Sequence, residues 1–142
     1  MNFLTRNKLR LVKTAETSAG TEVKTAAVDT AGFEGAVFFG SISTANAGNY
    51  MKAQESDTTT DGDFVDLVGT KVVAAANGDV VAVEVYRPSK RYIRASIIRG
   101  GTNTVTGDVY VNLYGPAVMP VDNNEASEIV SETHPTPAAG AA

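Results

Sequence analysis

The sequence predicts an all-β fold, a sandwich or barrel, and three observations predict it. Seven or eight short stretches alternate apolar and polar residues with a period of two. Gly, Asn and Pro clusters separate these stretches at near-regular spacing. No run repeats apolar residues at the helical period over the length of a packed helix.

Taken in order, residues 1–20 mix polar and small side chains, with a brief alternation at Lys8, Leu9, Arg10 and Leu11. They read as an N-terminal arm or an edge strand. The core spans residues 21–119. Residues 22–30 form a strand candidate, with Val23, Thr25 and Ala27 opposite Lys24, Ala26 and Val28. A glycine-punctuated turn leads into residues 35–44, GAVFFGSIST, where Ala36, Phe38, Gly40 and Ile42 share one face. Val37 and Phe39 lie on the other. Apolar residues on both faces predict an interior strand, or one whose outer face meets a partner. Residues 49–55 alternate Tyr50, Lys52 and Gln54 against Met51 and Ala53. After the polar loop 56–62, Phe64, Val65, Leu67 and Val68 predict a short helical turn or the start of a strand. Residues 71–76 are a further candidate, ending at Asn77 and Gly78, a hairpin-turn dipeptide.

The stretch 80–99, VVAVEVYRPSKRYIRASIIR, carries the strongest alternation. Val81, Val83 and Val85 share a face in its first half, as do Ile93, Ala95 and Ile97 in its second. Pro88 fixes a turn between them. A hairpin is predicted, apolar on one side and bearing Tyr86, Tyr92 and Arg94 on the other. In residues 108–114, Val109, Val111 and Leu113 point inward and Tyr110, Asn112 and Tyr114 outward. Residues 120–142 are acidic, then rich in Pro and Ala, and predict a flexible tail with little to bury.

Composition narrows the function classes. At 142 residues the length fits one domain with a real core. There is no cysteine, which excludes disulfides, thiolate metal sites and a cysteine nucleophile. The apolar runs are far shorter than a membrane span, and no apolar run follows the basic N-terminus as in a secretory signal. A soluble chain that contacts no membrane is expected. The net charge of −4 is segregated: Arg6, Lys8, Arg10 and Lys13 against Glu55, Asp57, Asp61, Asp63 and Asp66, then Arg87, Lys90, Arg91, Arg94 and Arg99 against Asp122, Glu125, Glu128 and Glu132. Such blocks suit complementary contacts between copies, the basic hairpin of one near the acidic loop of the next.

Catalytic chemistry finds few candidates. In the acidic loop Asp57, Asp61 and Gly62 match the first, fifth and sixth positions of a calcium loop. Thr59 and Val68 stand at the third and twelfth, so the closing bidentate acid is missing. The single histidine, His134, lies in the tail, which argues against a histidine metal site or a nucleophile–base pair. Glu84 is the acid in a well-defined strand and has no evident partner carboxylate for glycoside hydrolysis. No glycine-rich phosphate loop is present. The expectation is therefore a non-enzyme without cofactor or metal. Tyr86, Arg87, Arg91, Tyr92 and Arg94 suit single-stranded nucleic acid in type, but the acidic sum opposes that partner. Those residue types suit a protein interface better, and the candidate interface set is Arg6, Lys8, Arg10, Phe39, Tyr86, Arg87, Arg91, Tyr92 and Arg94. A glycan-binding module using Tyr50, Tyr86, Tyr92, Tyr110 or Tyr114 is the alternative.

Four motifs carry a family resemblance: F-x-G-x-x-F-F-G from Phe33 to Gly40, Y-x-K-x-Q-E-S-D from Tyr50 to Asp57, D-G-D-F-x-D from Asp61 to Asp66, and K-R-Y-I-R from Lys90 to Arg94. In this order they resemble small structural proteins of tailed bacteriophages, of the head decoration (cement) type. The resemblance implies a jelly-roll-like β-sandwich that sits on the capsid surface of a virion. It also implies binding to the major capsid protein, self-association as a homotrimer, and no active site. A neck, tail or fibre component is the variant of the same reading.

Overall fold

Strands with one strongly apolar face need a second sheet to cover it, and the chain supplies two. The structure, a computed structural model, describes residues 2–44, 46–124, 129–136 and 138–141. Among the described residues a single helical turn, α1 (Phe3–Arg6), precedes eleven strands. They are β1 (Asn7–Lys13), β2 (Glu16–Ala19), β3 (Val23–Lys24), β4 (Val28–Asp29), β5 (Gly35–Ile42), β6 (Tyr50–Ser56), β7 (Val65–Asp66), β8 (Val72–Val73), β9 (Asp79–Tyr86), β10 (Tyr92–Ile98) and β11 (Thr104–Tyr114). A 3-10 turn at Asp61–Asp63 lies just before β7. One sheet runs β1-β11-β5-β9, with β2 also on β11. The other runs β3-β10-β6-β7, with β4 on β10 and β8 on β6. All pairings are antiparallel. No helix among the described residues is long and apolar enough to cross a membrane.

The core lies between the sheets. Ala36, Phe38 and Ile42 from β5, Val81, Val83 and Val85 from β9, and Val109, Val111 and Leu113 from β11 face Met51, Ala53, Ile93, Ala95 and Ile97 of the second sheet. These are the inward faces that the alternation predicts. β5 is an interior strand between β11 and β9.

Several expectations are corrected. Residues 80–99 are not a hairpin: β9 pairs with β5 and β10 with β6, in opposite sheets. The two valine and isoleucine faces do not lie side by side in one sheet but line the shared core from opposite sheets. The proline link therefore crosses from sheet to sheet, and Arg87 takes φ 50 to begin that crossing. The Asn77–Gly78 turn likewise separates β8 and β9 into different sheets. Residues 22–30 make two short pieces instead of one strand. Thr25 accounts for the break: its hydroxyl accepts the Ala95 N–H at 3.0 Å, and the chain re-enters with Val28 buried.

The ends differ too. Of the two readings of the N-terminus the edge strand is the one adopted, not the free arm: β1 pairs along β11 from Asn7↔Tyr114 to Lys13↔Val109. The tail is anchored at Asn123, which is buried. Its amide oxygen accepts the Leu9 N–H at 2.7 Å, and its nitrogen donates to Leu4 O and Asn7 O at 2.8 and 2.9 Å. This side chain occupies the rungs where another strand would pair on β1. Truncation from Asn123 onward is therefore expected to lower the melting temperature by several degrees. Asn123→Ala should reproduce most of that loss, about 1–3 kcal/mol for unsatisfied backbone groups, in thermal and urea unfolding. Beyond Asn124, Glu125 and Glu128 of the predicted acidic tail lie outside the described residues.

Candidate functional site

Directly opposed residues of antiparallel strands share a face, so register alone assembles the outer surface of the first sheet. One row reads Leu11, Tyr110, Phe39, Ala82; the next reads Leu9, Asn112, Val37, Glu84. A third reads Asn7, Tyr114, Gly35, Tyr86, and Val80 stands beside Ser41 at the far end. Nothing among the described residues covers this face, and all of these side chains except Gly35 remain partly or fully exposed. Phe39 and Tyr110 stack with ring centroids 5.7 Å apart and planes at 27°. The Asn112 side-chain oxygen is buried between its neighbours without a hydrogen-bond partner. An apolar band with aromatic stacking and scattered polar groups is the composition of a contact surface.

Gly35 is required in the third row. A Cβ there would lie 2.5 Å from the Tyr114 hydroxyl and 2.8 Å from the Val85 carbonyl oxygen. Its absence lets the Tyr114 phenol reach across the strand and donate to the Glu84 carboxylate. Burial and that hydrogen bond push the Tyr114 pKa up to about 12.

The predicted interface residues divide among several places. Phe39 lies at the centre of the outer face. Tyr86 ends β9 with the Arg87 guanidinium 5.1 Å from its ring. Arg91 lies 5.3 Å from the Tyr92 ring and makes a two-pronged bond to Asp29, at 2.7 and 3.1 Å. Lys8 and Arg10 stand opposite Leu113 and Val111, so they share the inward side of the edge strand, not the outer face. Arg6, Lys8 and Arg10 are each already engaged.

Arg94 is corrected outright: it is 5% exposed. Its guanidinium lies 4.1 Å from the Phe64 ring, donates to Gln54 at 2.7 Å and pairs with Asp61 at 2.5 Å. It is a structural clamp that folds the acidic loop over β10 and leaves its guanidinium buried. Gln54 in β6 and Phe64 in an otherwise polar loop were the sequence signals for this cover.

The acidic loop therefore finds its cations within the same chain. Lys24 bonds Asp61 at 3.0 Å, Lys52 bonds Asp66 at 2.6 Å and Lys90 approaches Asp57 at 3.5 Å. These pairs are intramolecular. Arg94, then Lys24, hold the Asp61 carboxyl below its usual range; Lys52 and Gln54 do so for Asp66, and Arg91 for Asp29. A lowered folded-state pKa contributes stability that is full above the unfolded value of 3.8 and is lost as pH falls through the folded values. Melting temperature is expected to hold between about pH 7 and 5 and to fall steadily below about pH 4. Asp61→Asn should flatten that fall in scanning calorimetry; an unchanged acid profile would remove Asp61 from this role.

Two carboxylates do share one hollow. Glu55 and Glu84 line a cavity of about 320 Å³ with Leu67, Thr70 and Ser89. Glu55 is buried and accepts the Ser89 hydroxyl at 2.8 Å, and Glu84 accepts from Tyr114. Glu84 thus lines the same hollow as a second carboxylate. His134 is exposed and lies 2.9 Å from Glu132. Among the described residues no group of three or more His, Cys, Asp or Glu side chains is arranged to hold a metal ion. Neither models of known protein families nor curated proteins match this chain.

Proposed function

We propose that this chain is a structural module of a virion, a decoration (cement) protein that binds the major capsid protein at the capsid surface and associates with further copies of itself. The observation that carries the reading is the uncovered apolar face of the first sheet, centred on the Phe39–Tyr110 pair. A sandwich needs one buried face per sheet, and a second apolar face favours a macromolecular partner. The proposal includes threefold association of the kind that the family resemblance implies.

The strand order supports the finer fold class. If β3 with β4, and β7 with β8, are each counted as one interrupted strand and β2 as an extension of the β1 edge, eight segments follow one another along the chain. The first sheet then orders them first, eighth, third, sixth, and the second orders them second, seventh, fourth, fifth. We read this as the jelly-roll arrangement, which recurs in viral capsid and lectin domains. A second reading follows from the same face: Tyr86, Tyr110 and Tyr114 share it with Asn112 and Glu84, a set suited to stacking on a glycan.

The test is addition of the purified chain to phage particles that lack it. Saturable binding in large copy number is expected, reduced at least tenfold by Val37→Lys with Phe39→Lys while the melting temperature is unchanged. Failure of the native chain to bind particles would overturn the capsid reading. Binding to a glycan array that is lost in Tyr110→Ala would then establish the second.

A further inference from the structure

The two sheets have four edges, and three are blunted. β3 with β4, and β7 with β8, are two-residue pieces. β1 is capped by Asn123, and its Val12 carbonyl accepts the Ala26 N–H. Interrupted and covered edges are how natural sheets avoid pairing with other chains. The fourth edge, β9, is an unbroken strand of eight residues.

Its free side can be specified atom by atom. Arg87 N–H donates to Glu34 O, one rung past the Gly35↔Tyr86 position. Alternation then aims the N–H and C=O groups of Val81, Val83 and Val85 at β5, and those of Val80, Ala82, Glu84 and Tyr86 outward. Among the described residues none of these outward groups has a hydrogen-bond partner. Val80 and Tyr86 are 67% and 57% exposed. Beside this edge, β8 of the facing sheet touches β9, and that sheet's edge adds the exposed side chains of Val65, Val68 and Val73.

We propose that β9 pairs antiparallel with β9 of a second copy, about a two-fold axis at Val83, joining two first sheets into one. This register gives every outward-facing residue a partner: Val80 opposite Tyr86, and Ala82 opposite Glu84. It opposes no like charges, whereas a register centred on Glu84 would set two carboxylates together. It places Asp79, at the start of the strand, beside Arg87 of the second copy at each end. Arg87 makes no ion pair within its own chain among the described residues. Self-complementarity of one patch is the requirement of a two-fold contact, and strand addition at an open edge supplies main-chain affinity. A closed trimer uses a different, head-to-tail kind of contact, so this junction links copies in pairs whether the units are single chains or trimers. It stands or falls independently of the capsid reading.

Amide hydrogen exchange at residue resolution, combined with sedimentation of the full chain, tests it. The amides of Val80, Ala82, Glu84 and Tyr86 are expected to slow by more than tenfold as concentration rises and the assembled mass doubles. Two exposed-site variants read the register. Ala82→Lys faces Glu84 of the second copy and should tighten pairing about tenfold, whereas Ala82→Glu should weaken it by a similar factor. A register centred on Ala82 would reverse the first result by opposing two lysines. The proposal is overturned by a monomer at all concentrations, by an assembly in which the four amides stay fast, or by Ala82→Lys weakening the pair.

Discussion

Ile97→Asp is expected to abolish soluble folding. Ile97 is fully buried in β10, between Val23 of β3 and Met51 of β6 in register. A carboxylate there enters the apolar cluster that Phe38, Val81 and Val83 complete from the opposite sheet, and it has no cation within that cluster. Burying an unpaired charge costs several kcal/mol, against a total stability of about 5–15 kcal/mol for a domain of this kind. Val83→Asp should act in the same way from the other sheet, because Val83 is 4% exposed and pairs with Phe38. Circular dichroism showing an unchanged β spectrum and melting point in either variant would contradict this description of the core.

Substitution at the Asn49–Gly100 corner should have the next largest effect. A Cβ on Gly100 would lie 2.5 Å from Gly48 Cα and 2.6 Å from its carbonyl carbon. Both are backbone atoms and cannot rotate aside. Asn49, with no exposed surface, completes the corner. Its oxygen accepts the Gly100 N–H at 2.7 Å and the Thr104 hydroxyl at 3.0 Å, and its nitrogen donates to Thr44 O at 2.8 Å. Asn49→Ala leaves these groups unpaired in a buried site and should cost about 2–4 kcal/mol. Gly100→Ala should cost at least as much, since the loops must separate. Urea unfolding with an unchanged slope measures both, and a loss below about 1 kcal/mol would rule out this account.

Much of the fold was legible in the residues, and what was not has a physical reason. Period-two alternation identifies which side chains share a face, so the inward sets of β5, β9, β10 and β11 follow directly from valine, isoleucine and phenylalanine spacing. Alternation carries no information about the neighbouring strand. Residues 80–86 and 92–98 therefore read equally well as a hairpin or as strands of two different sheets, and the second arrangement is the one adopted. The burial of Arg94 is hidden from the sequence for a related reason. It lies on the outer side of its strand, as the alternation implies, but the acidic loop folds over that side and buries it. The role of Asn123 is not legible in the sequence because composition describes a segment's average, whereas one amide placed against an edge strand is a matter of geometry. The outer face of the first sheet was half visible. Val37 and Phe39 marked an uncovered side, but only register brings Leu9, Leu11, Tyr110 and Ala82 beside them.

The crossing between sheets also governs how fast the chain can reach its native state. β1 pairs with β11, so Asn7 must find Tyr114 at the far end of the sequence. β5 waits for β9 and β11, and β10 reaches back to β3, β4 and β6. No two long strands adjacent in sequence pair with each other, so there is little local structure to nucleate on, and distant loops must close before contacts reward them. Refolding after dilution from denaturant should therefore run in milliseconds to seconds, in the slow range of all-β domains. During that interval the apolar face of the first sheet and the β9 edge are both exposed, so recovery of soluble protein should decline steeply with concentration.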